Sequence, residues 1–427
     1  MSEQQTHPAS SSMPADVGYG ARAPDSRSWP ALEALVSSAS RVLLTRMLAS
    51  IGNPALQFVL WNGEEIPQRG DGRLPRIVLN DFGAVLKLAG DPQLRFGEMF
   101  TAGRLEVKGD LAGLLELIYR ALPREDGGVS GAWQLRDFFA EQRNSPSRAK
   151  QNIHHHYDFG NDFYKLWLDQ RMVYTCAYFP TQAMDLEAAQ LAKMDLVCSK
   201  LRLKPGDRVI EAGCGWGALA LHMAKHYGAS VQAYNISAEQ MAFARERARL
   251  VGLDGRVEFI EDDYRNVSGK FDAFVSVGML EHVGPEYYED LGRVIDRVLA
   301  DHGRGLIHSI GRDYPCRLDS WTERHIFPEA CPPSLSQMMA IFEPCGFSVL
   351  DVENLRLHYA KTLEHWLDRF EVATGTVEEM FNPAVARTWR LYLAGSLAAF
   401  RSGNMQLFQV LFSRTGDNRI PWTRTAL

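Results

Sequence analysis

The sequence predicts an α/β chain in which a doubly wound, mostly parallel sheet follows a smaller α+β domain. Three observations carry that prediction. From Lys204 onward, short apolar runs alternate with helical stretches of roughly 12 residues, the rhythm of parallel strands joined by helices. The first of these runs leads into three closely spaced glycines in "VIEAGCGWG", namely Gly213, Gly215 and Gly217, after which a helical pattern begins. Ahead of this region, one helical period and two alternating runs around Asn62-Gly63 form a separate, smaller pattern.

The elements follow in order. Residues 1–29 are rich in Ser, Pro, Ala and Gly, have little to bury and read as a disordered tail. The run "ALEALVSSASRVLLTRMLASIG" has helical spacing, whereas "LQFVLWNGEEI" and "PRIVLND" alternate as strands. With "FGEMFTAGRLEVKGDLAGLLELIYRAL" they make residues 30–122 an α+β domain that carries no acid, base or ligand constellation and is expected to bind or pack. A linker, 123–150, opens with "PREDGGVSG". The second domain, 151–427, starts with the aromatic segment "NIHHHYDFGNDFYKLWLDQRMVYTCAYF". Strands are then expected in "DRVIEA", "SVQAYN", "VEFIEDD", "FDAFVSVG" and "GRGLIHSIG", with helices between them. Residues 312–340, rich in Pro and aromatics, show no regular element and suit a lid. Tyr359 is placed just before an amphipathic helix, and Met405 to Arg414 as a late, antiparallel strand.

Composition narrows the function. A net charge of -6 gives no general reason to expect nucleic acid, and 46% hydrophobic with 10% aromatic content is globular. No apolar run reaches the roughly 18 residues of a spanning helix, and the start lacks the apolar core of a signal peptide, so a cytoplasmic protein is expected. The six cysteines, 176, 198, 214, 316, 331 and 345, include no CxxC pair and are expected to be reduced thiols. The adjacent histidines 154 to 156 cannot easily all face one ion, so no metal is expected.

The glycine turn lies where α/β sheets bind nucleotides, because backbone without side chains can approach a ligand closely. Its GxGxG spacing, preceded by Glu211, favours S-adenosylmethionine over a dinucleotide: no pyrophosphate needs the helix N-terminus, and Glu211 can face a cationic amino-acid head. The second strand ends in "YNIS" without an acid, which leaves Asn235 as the candidate for a ribose hydroxyl. In "EDDYRN", Asp263 is the candidate acceptor for an adenine amino group and Tyr264 the candidate stacking ring. Glu281 and His282 in "GMLEHVG", His308 in "LIHSIG" and Tyr359 stand at or beyond other strand ends. Singly, each also reads as a helix cap, a core histidine or packing.

Taken together, "HYDFGNDFYKLWLD", "YTCAYF", "EAGCGWG", "NISAEQ", "DYRNV", "GMLEHVG", "LIHSIG", "HYAKTL" and "FRSGNMQLFQVLFSR" resemble the ordered motif set of the cyclopropane fatty acid synthase family, relatives of the mycolic acid cyclopropane synthases. The resemblance runs from about Asn152 to Arg414. It implies a seven-stranded, Rossmann-like S-adenosylmethionine-dependent methyltransferase domain that transfers a methylene group to a cis double bond in an acyl chain of a membrane phospholipid. It also implies that a bound bicarbonate accepts the proton lost on ring closure, in a cradle made by Cys176, Glu281, His308, Ile310 and Tyr359. Cofactor contacts carry over to Tyr174, Thr175, Gly213, Gly215, Gly217, Asn235, Ile236, Gln240, Asp263 and Tyr264. Some members have a cysteine where this chain has Ser396, which argues against a nucleophile there. The N-terminal domain is more loosely similar to one thought to engage lipid or membrane.

The reaction so implied needs a dry aromatic site, since a carbocation exposed to water would be lost, and ring faces stabilise cations by about 0.5–2 kcal/mol each. Reaching a bilayer lipid suggests a basic surface. From Pro383 the chain carries arginines 387, 390, 401, 414, 419 and 424 against Asp417, interspersed with Trp389, Tyr392, Phe400 and Trp422, which suits the anionic inner face of a membrane. A homodimer is compatible with the sequence. Two alternatives stand: a C-methyltransferase leaving a methyl or methylene branch on the same chains, and a catalytically silent lipid-binding protein.

Overall fold

The computed structural model describes residues 30–67, 74–122, 159–420 and 422–423. The expected tail, the linker 123–150, the histidines 154 to 156 and Arg424 lie outside them.

The N-terminal part runs α1 (Pro30–Ser50), β1 (Gln57–Leu60), β2 (Glu65–Ile66), β3 (Arg76–Leu79), α2 (Phe82–Gly90), α3 (Pro92–Thr101), β4 (Leu105–Lys108) and α4 (Leu111–Ala121). Its sheet has the order β2-β1-β3-β4. The β1–β2 hairpin turns at Asn62-Gly63, where Gly63 takes φ +83° and the Asn62 side chain accepts the Glu64 amide at 3.1 Å. Helices α2 and α3 each start on an aspartate that accepts an amide of the first turn, Asp81 from Ala84 and Asp91 from Leu94.

The larger part supplies β5 (Arg208–Ala212), β6 (Ser230–Asn235), β7 (Val257–Glu261), β8 (Phe271–Val277), β9 (Leu299–Gly311), β10 (Phe347–Asn354) and β11 (Gln406–Arg414). They form one seven-stranded sheet in the order β10-β11-β9-β8-β5-β6-β7. Strands β9, β8, β5, β6 and β7 are parallel, and β11 runs antiparallel to both its neighbours, as expected from the sequence. The helices are α5 (Asn161–Lys165), α6 (Leu186–Leu201), α7 (Ala218–Tyr227), α8 (Ala238–Leu250), α9 (Tyr288–Val298), α10 (Ser320–His325), α11 (Leu335–Phe342), α12 (Arg356–Met380) and α13 (Pro383–Ser402).

Four expectations need correction. Residues 312–340 include α10 and the start of α11; the latter opens on a capping box in which Ser334 and Gln337 satisfy each other's backbone amides, a Ser-x-x-Gln signal overlooked among the prolines. Tyr359 lies inside the first turn of α12, not ahead of it. The aromatics expected on a basic surface are mostly core: Trp389 is 1% exposed, Tyr392 7% and Phe400 2%, and only Trp422 lies fully open. The arginines there are largely paired, Arg390 with Glu371, Arg401 with Glu364, Arg414 with Asp296 and Arg419 with Asp417. Acids distant in sequence thus neutralise a tail that looked strongly basic when counted alone.

Helix α13 is the join between the two parts. Helices α3 and α4 pack on it, and one apolar cluster runs without a break from Leu44 and Phe58 through Leu114 to Trp366, Trp389 and Leu407. Trp321 of α10 lies flat on α3, where a Cβ at Gly97 would come within 2.3 Å of its ring. Among the described residues no helix is long and apolar enough to cross a membrane.

Candidate active site

The glycine turn is shaped by its own conformation. Gly213, Gly215 and Gly217 have φ of +85°, +52° and +79°, values that L side chains rarely adopt, and the amides of Gly213 and Cys214 are clipped onto the Tyr234 carbonyl at the end of β6. A Cβ at Gly217 would strike the Phe259 ring at 2.5 Å, whereas one at Gly215 would meet nothing within 4 Å, leaving the room a close-lying ligand needs. Glu211, at the end of β5, is 2% exposed; it accepts the Ala220 amide at the start of α7, while its Oε2 has no partner. Burial pushes its carboxyl up to about 8.

The neighbouring loops are less free than expected. Asn235 donates to the Gly215 carbonyl (3.3 Å) and to Gln240 Oε1 (2.7 Å) and accepts the Ile236 amide (2.8 Å), so it braces the turn, and its expected bond to a ribose hydroxyl would have to displace one of these. Asp263 holds Arg265 through both carboxylate oxygens at 2.7 and 2.8 Å, and Tyr264 starts a short 3₁₀ turn under the same arginine. Asp263 therefore reaches any amino group as a carboxylate already paired on one side.

The segment carrying Tyr174, Thr175 and Cys176 has no regular structure and is held from outside. Asp169, 1% exposed, accepts the amides of Arg171 and Val173; Gln190 of α6 donates to the Thr175 carbonyl at 2.9 Å; and Thr362 of α12 accepts the Ala177 amide at 3.0 Å. Lys193, one turn beyond Gln190, donates to Thr175 Oγ1 at 3.0 Å. None of these four anchors was singled out from the sequence. Gln190 and Lys193 had a signal, because they occupy positions in the buried stripe of α6 formed by Leu186, Ala189, Met194 and Val197.

Cys176, Tyr359 and Ile310 converge on Leu355, although they are far apart in the chain. The Leu355 carbonyl accepts the Tyr359 amide at 3.1 Å and lies 3.9 Å from Cys176 Sγ, while the Leu355 amide donates to Leu407, the β11 residue opposite Ile310. Burial drives the Cys176 thiol far above its ordinary range, so it stays a neutral thiol. The Glu281 carboxylate receives the Ser309 hydroxyl at 2.9 Å and the Ile310 amide, which is the donor expected to serve a bound anion. Burial lifts Glu281 to about 7. His308 is 1% exposed and, pushed down to about 3 by burial and by Lys193 and Lys200, is neutral. Its Nδ1 lies 3.2 Å from the Gln409 side-chain amide, and its buried Nε2 has no partner.

An aromatic wall closes the site. Tyr164, Trp167, Tyr174, Trp366 and Trp389 make ring contacts at 5.2 to 5.9 Å, Tyr359 continues the wall to Phe400, and the Tyr174 hydroxyl donates to that of Tyr392 at 2.9 Å. Ser396 hydrogen-bonds Tyr392 and touches none of the cradle groups named above through any bond found, consistent with a packing role.

A seven-stranded sheet with one reversed strand, a positive-φ glycine turn after its first strand and a buried acid before that turn define an S-adenosylmethionine-dependent methyltransferase. The mycolic acid cyclopropane synthetase family model matches residues 144–410. A probable fatty acid methyltransferase from Pseudomonas putida is 35% identical over 86% of this chain and 95% of its own length. Cyclopropane-fatty-acyl-phospholipid synthase from Escherichia coli is 43% identical over 62% of this chain and 68% of its own. Among solved structures, the mycolic acid cyclopropane synthase CmaA1 complexed with SAH and CTAB superposes with a TM-score of 0.58 at 29% identity, covering 62% of this chain and 98% of that one. The chain belongs to the cyclopropane synthase family, within the S-adenosylmethionine-dependent methyltransferases.

Proposed function

We propose that this enzyme transfers a methylene group to a cis double bond in an acyl chain of a phospholipid, giving a cyclopropane fatty acid. The observation that carries the reading is the buried His308, whose Nε2 has no partner, on the strand whose next two residues, Ser309 and Ile310, bond the buried Glu281. An unmatched buried donor costs about 1–3 kcal/mol, a penalty that an anion seated there removes.

S-adenosylmethionine, when bound, supplies an electrophilic methyl group, and bicarbonate supplies a proton acceptor. The open space over Gly215 and the unpartnered Glu211 oxygen fit the first; the partnerless His308 Nε2 fits the second. Within the chain, the thiol of Cys176, the phenol of Tyr359 and His308 Nε2–H donate toward the anion, and ionised Glu281 accepts its hydrogen and so orients it. Trp366, Tyr174 and Tyr359 line the cation developing on the acyl chain and exclude the water that would quench it. Lipid access by peripheral association with the inner membrane face belongs to the same proposal, although the pairing of the C-terminal arginines leaves less free positive charge for it than their number suggested.

The test is incubation with labelled S-adenosylmethionine and unsaturated phospholipid vesicles, followed by mass spectrometry of the acyl chains. One added CH₂ that resists hydrogenation is expected. A reducible methylene branch or a simple methyl branch would replace this reading with a C-methyltransferase, a reading favoured by one observation: the methyltransferase from Pseudomonas putida matches nearly its whole length. Cys176→Ser is expected to retain part of the activity, since a hydroxyl still donates. Complete loss in folded protein that binds S-adenosylhomocysteine would make Cys176 a nucleophile instead.

A further inference from the structure

Lys193 is a buried charge to which the mechanism above assigns no task. It is 2% exposed on α6, and among the described residues Thr175 Oγ1 is its hydrogen-bonding partner, at 3.0 Å. An ammonium has three donors and no acceptor, so the direction of that bond is set: Nζ donates and Thr175 accepts. The Thr175 hydroxyl hydrogen is then left to donate elsewhere. The charged and titratable groups around Lys193 are Asp169, Cys176, Cys198, Glu211 and His308. Asp169 is occupied by two backbone amides, the cysteines are neutral thiols and His308 is uncharged. Glu211 is the remaining acid, raised to about 8 by burial and with one oxygen unpartnered, and no ion pair within 4.0 Å joins it to Lys193 among the described residues.

A buried ammonium and a buried carboxyl oxygen, neither of them ion-paired, suit a ligand that brings a carboxylate to the first and an ammonium to the second, the ligand's own positive charge favouring ionisation of Glu211. We propose that Lys193 and the Thr175 hydroxyl receive the α-carboxylate of the methionine head of S-adenosylmethionine, while Glu211 receives its α-ammonium. Electrostatics supports this placement over one at the reacting end: an ammonium beside a sulfonium repels it, whereas a carboxylate between the two attracts both. The same arrangement accounts for Gln190. By holding the Thr175 carbonyl at 2.9 Å, it fixes the backbone from which the hydroxyl projects.

The inference rests on the glycine turn being the cofactor site, and calorimetry separates the two claims. The probes are S-adenosylhomocysteine and 5′-methylthioadenosine, which keeps the nucleoside and sulfur but lacks the amino-acid head. Absence of binding of both by the unmodified chain would remove the cofactor site itself. Lys193→Met is expected to weaken S-adenosylhomocysteine by about 10- to 100-fold, the loss of one or two charge-assisted hydrogen bonds, and to leave methylthioadenosine within about 3-fold. Lys193→Arg is expected to recover part of the loss. Unchanged S-adenosylhomocysteine affinity in Lys193→Met, or equal weakening of both ligands, overturns the proposal; the first outcome would move Lys193 to the anion beside His308. If Lys193→Met does not fold, Thr175→Val decides, with the same selective loss expected and the same equal loss overturning it.

Discussion

Glu281→Gln is expected to lower kcat by about 10²-fold or more and to leave S-adenosylhomocysteine binding intact, the result required of a group that acts on proton removal and not on cofactor affinity. The amide keeps the shape and still accepts the Ser309 hydroxyl, so the loss reports charge and not packing. The pH profile gives an independent check. Burial raises Glu281 to about 7, so it is protonated below that pH and ionised above it. The ionised form accepts the hydrogen of a bound anion in a stronger, charge-assisted bond, so kcat of the unmodified enzyme is expected to rise between about pH 6 and 8. His308, held near 3, adds no inflection in that range. The Gln variant is expected to lack the rising limb; a variant that keeps both kcat and the limb would show that Glu281 has no part in proton handling.

Trp389→Ala is expected to destabilise the fold by about 3–5 kcal/mol, near the upper end for a single core truncation. The ring is 1% exposed and touches Phe159, Phe163, Tyr164, Trp167 and Tyr392 at centroid distances of 4.8 to 5.9 Å. It also lies on α13, the helix on which α3 and α4 pack, so the cavity opens where both parts of the molecule meet. Denaturant unfolding measures the effect, and Trp389→Phe, which keeps a ring, should lose less. A drop below about 1 kcal/mol for Ala would mean that the aromatic wall repacks around the gap. The wall also carries Tyr174, through Trp167 and through the Tyr392 hydroxyl, so surviving Trp389→Ala protein is expected to bind acyl substrate less well.

The elements legible in the sequence were those whose cause is local. Gly213 and Gly217 need a backbone that other residues resist, and β11 shows a largely apolar run interrupted by Gln409, in keeping with a strand buried on both faces. The start of α11 carries a local signal of the same kind, the Ser334–Gln337 capping box, set in a segment whose prolines otherwise read as irregular. Of the residues carried over from the family resemblance, Cys176 and Tyr359 meet the Leu355 backbone and Glu281 meets β9, and the bonds they make were not legible in the sequence. Ile310 directs its amide to Glu281, Asp263 is paired with Arg265, and Asn235 is committed to Gly215 and Gln240.

Charge was read least well, because charges act through space. The C-terminal arginines formed a basic run when counted along the chain, but Glu371, Glu364 and Asp296 come from other elements to meet them. Lys193 posed the opposite case: one lysine in a helix ordinarily faces water, and only its place in the α6 stripe hinted otherwise. By itself, then, the sequence determined the order of strands and helices, the glycine turn and the residue types available for methyl transfer, since each depends on local conformation or on motifs contiguous in the chain. Tertiary structure decided which donors stay unmatched, which acids are raised by burial and which arginines are neutralised. Those properties depend on solvent exclusion and on distances between residues far apart in the chain, 179 positions for Cys176 and Leu355 and 218 for Tyr174 and Tyr392.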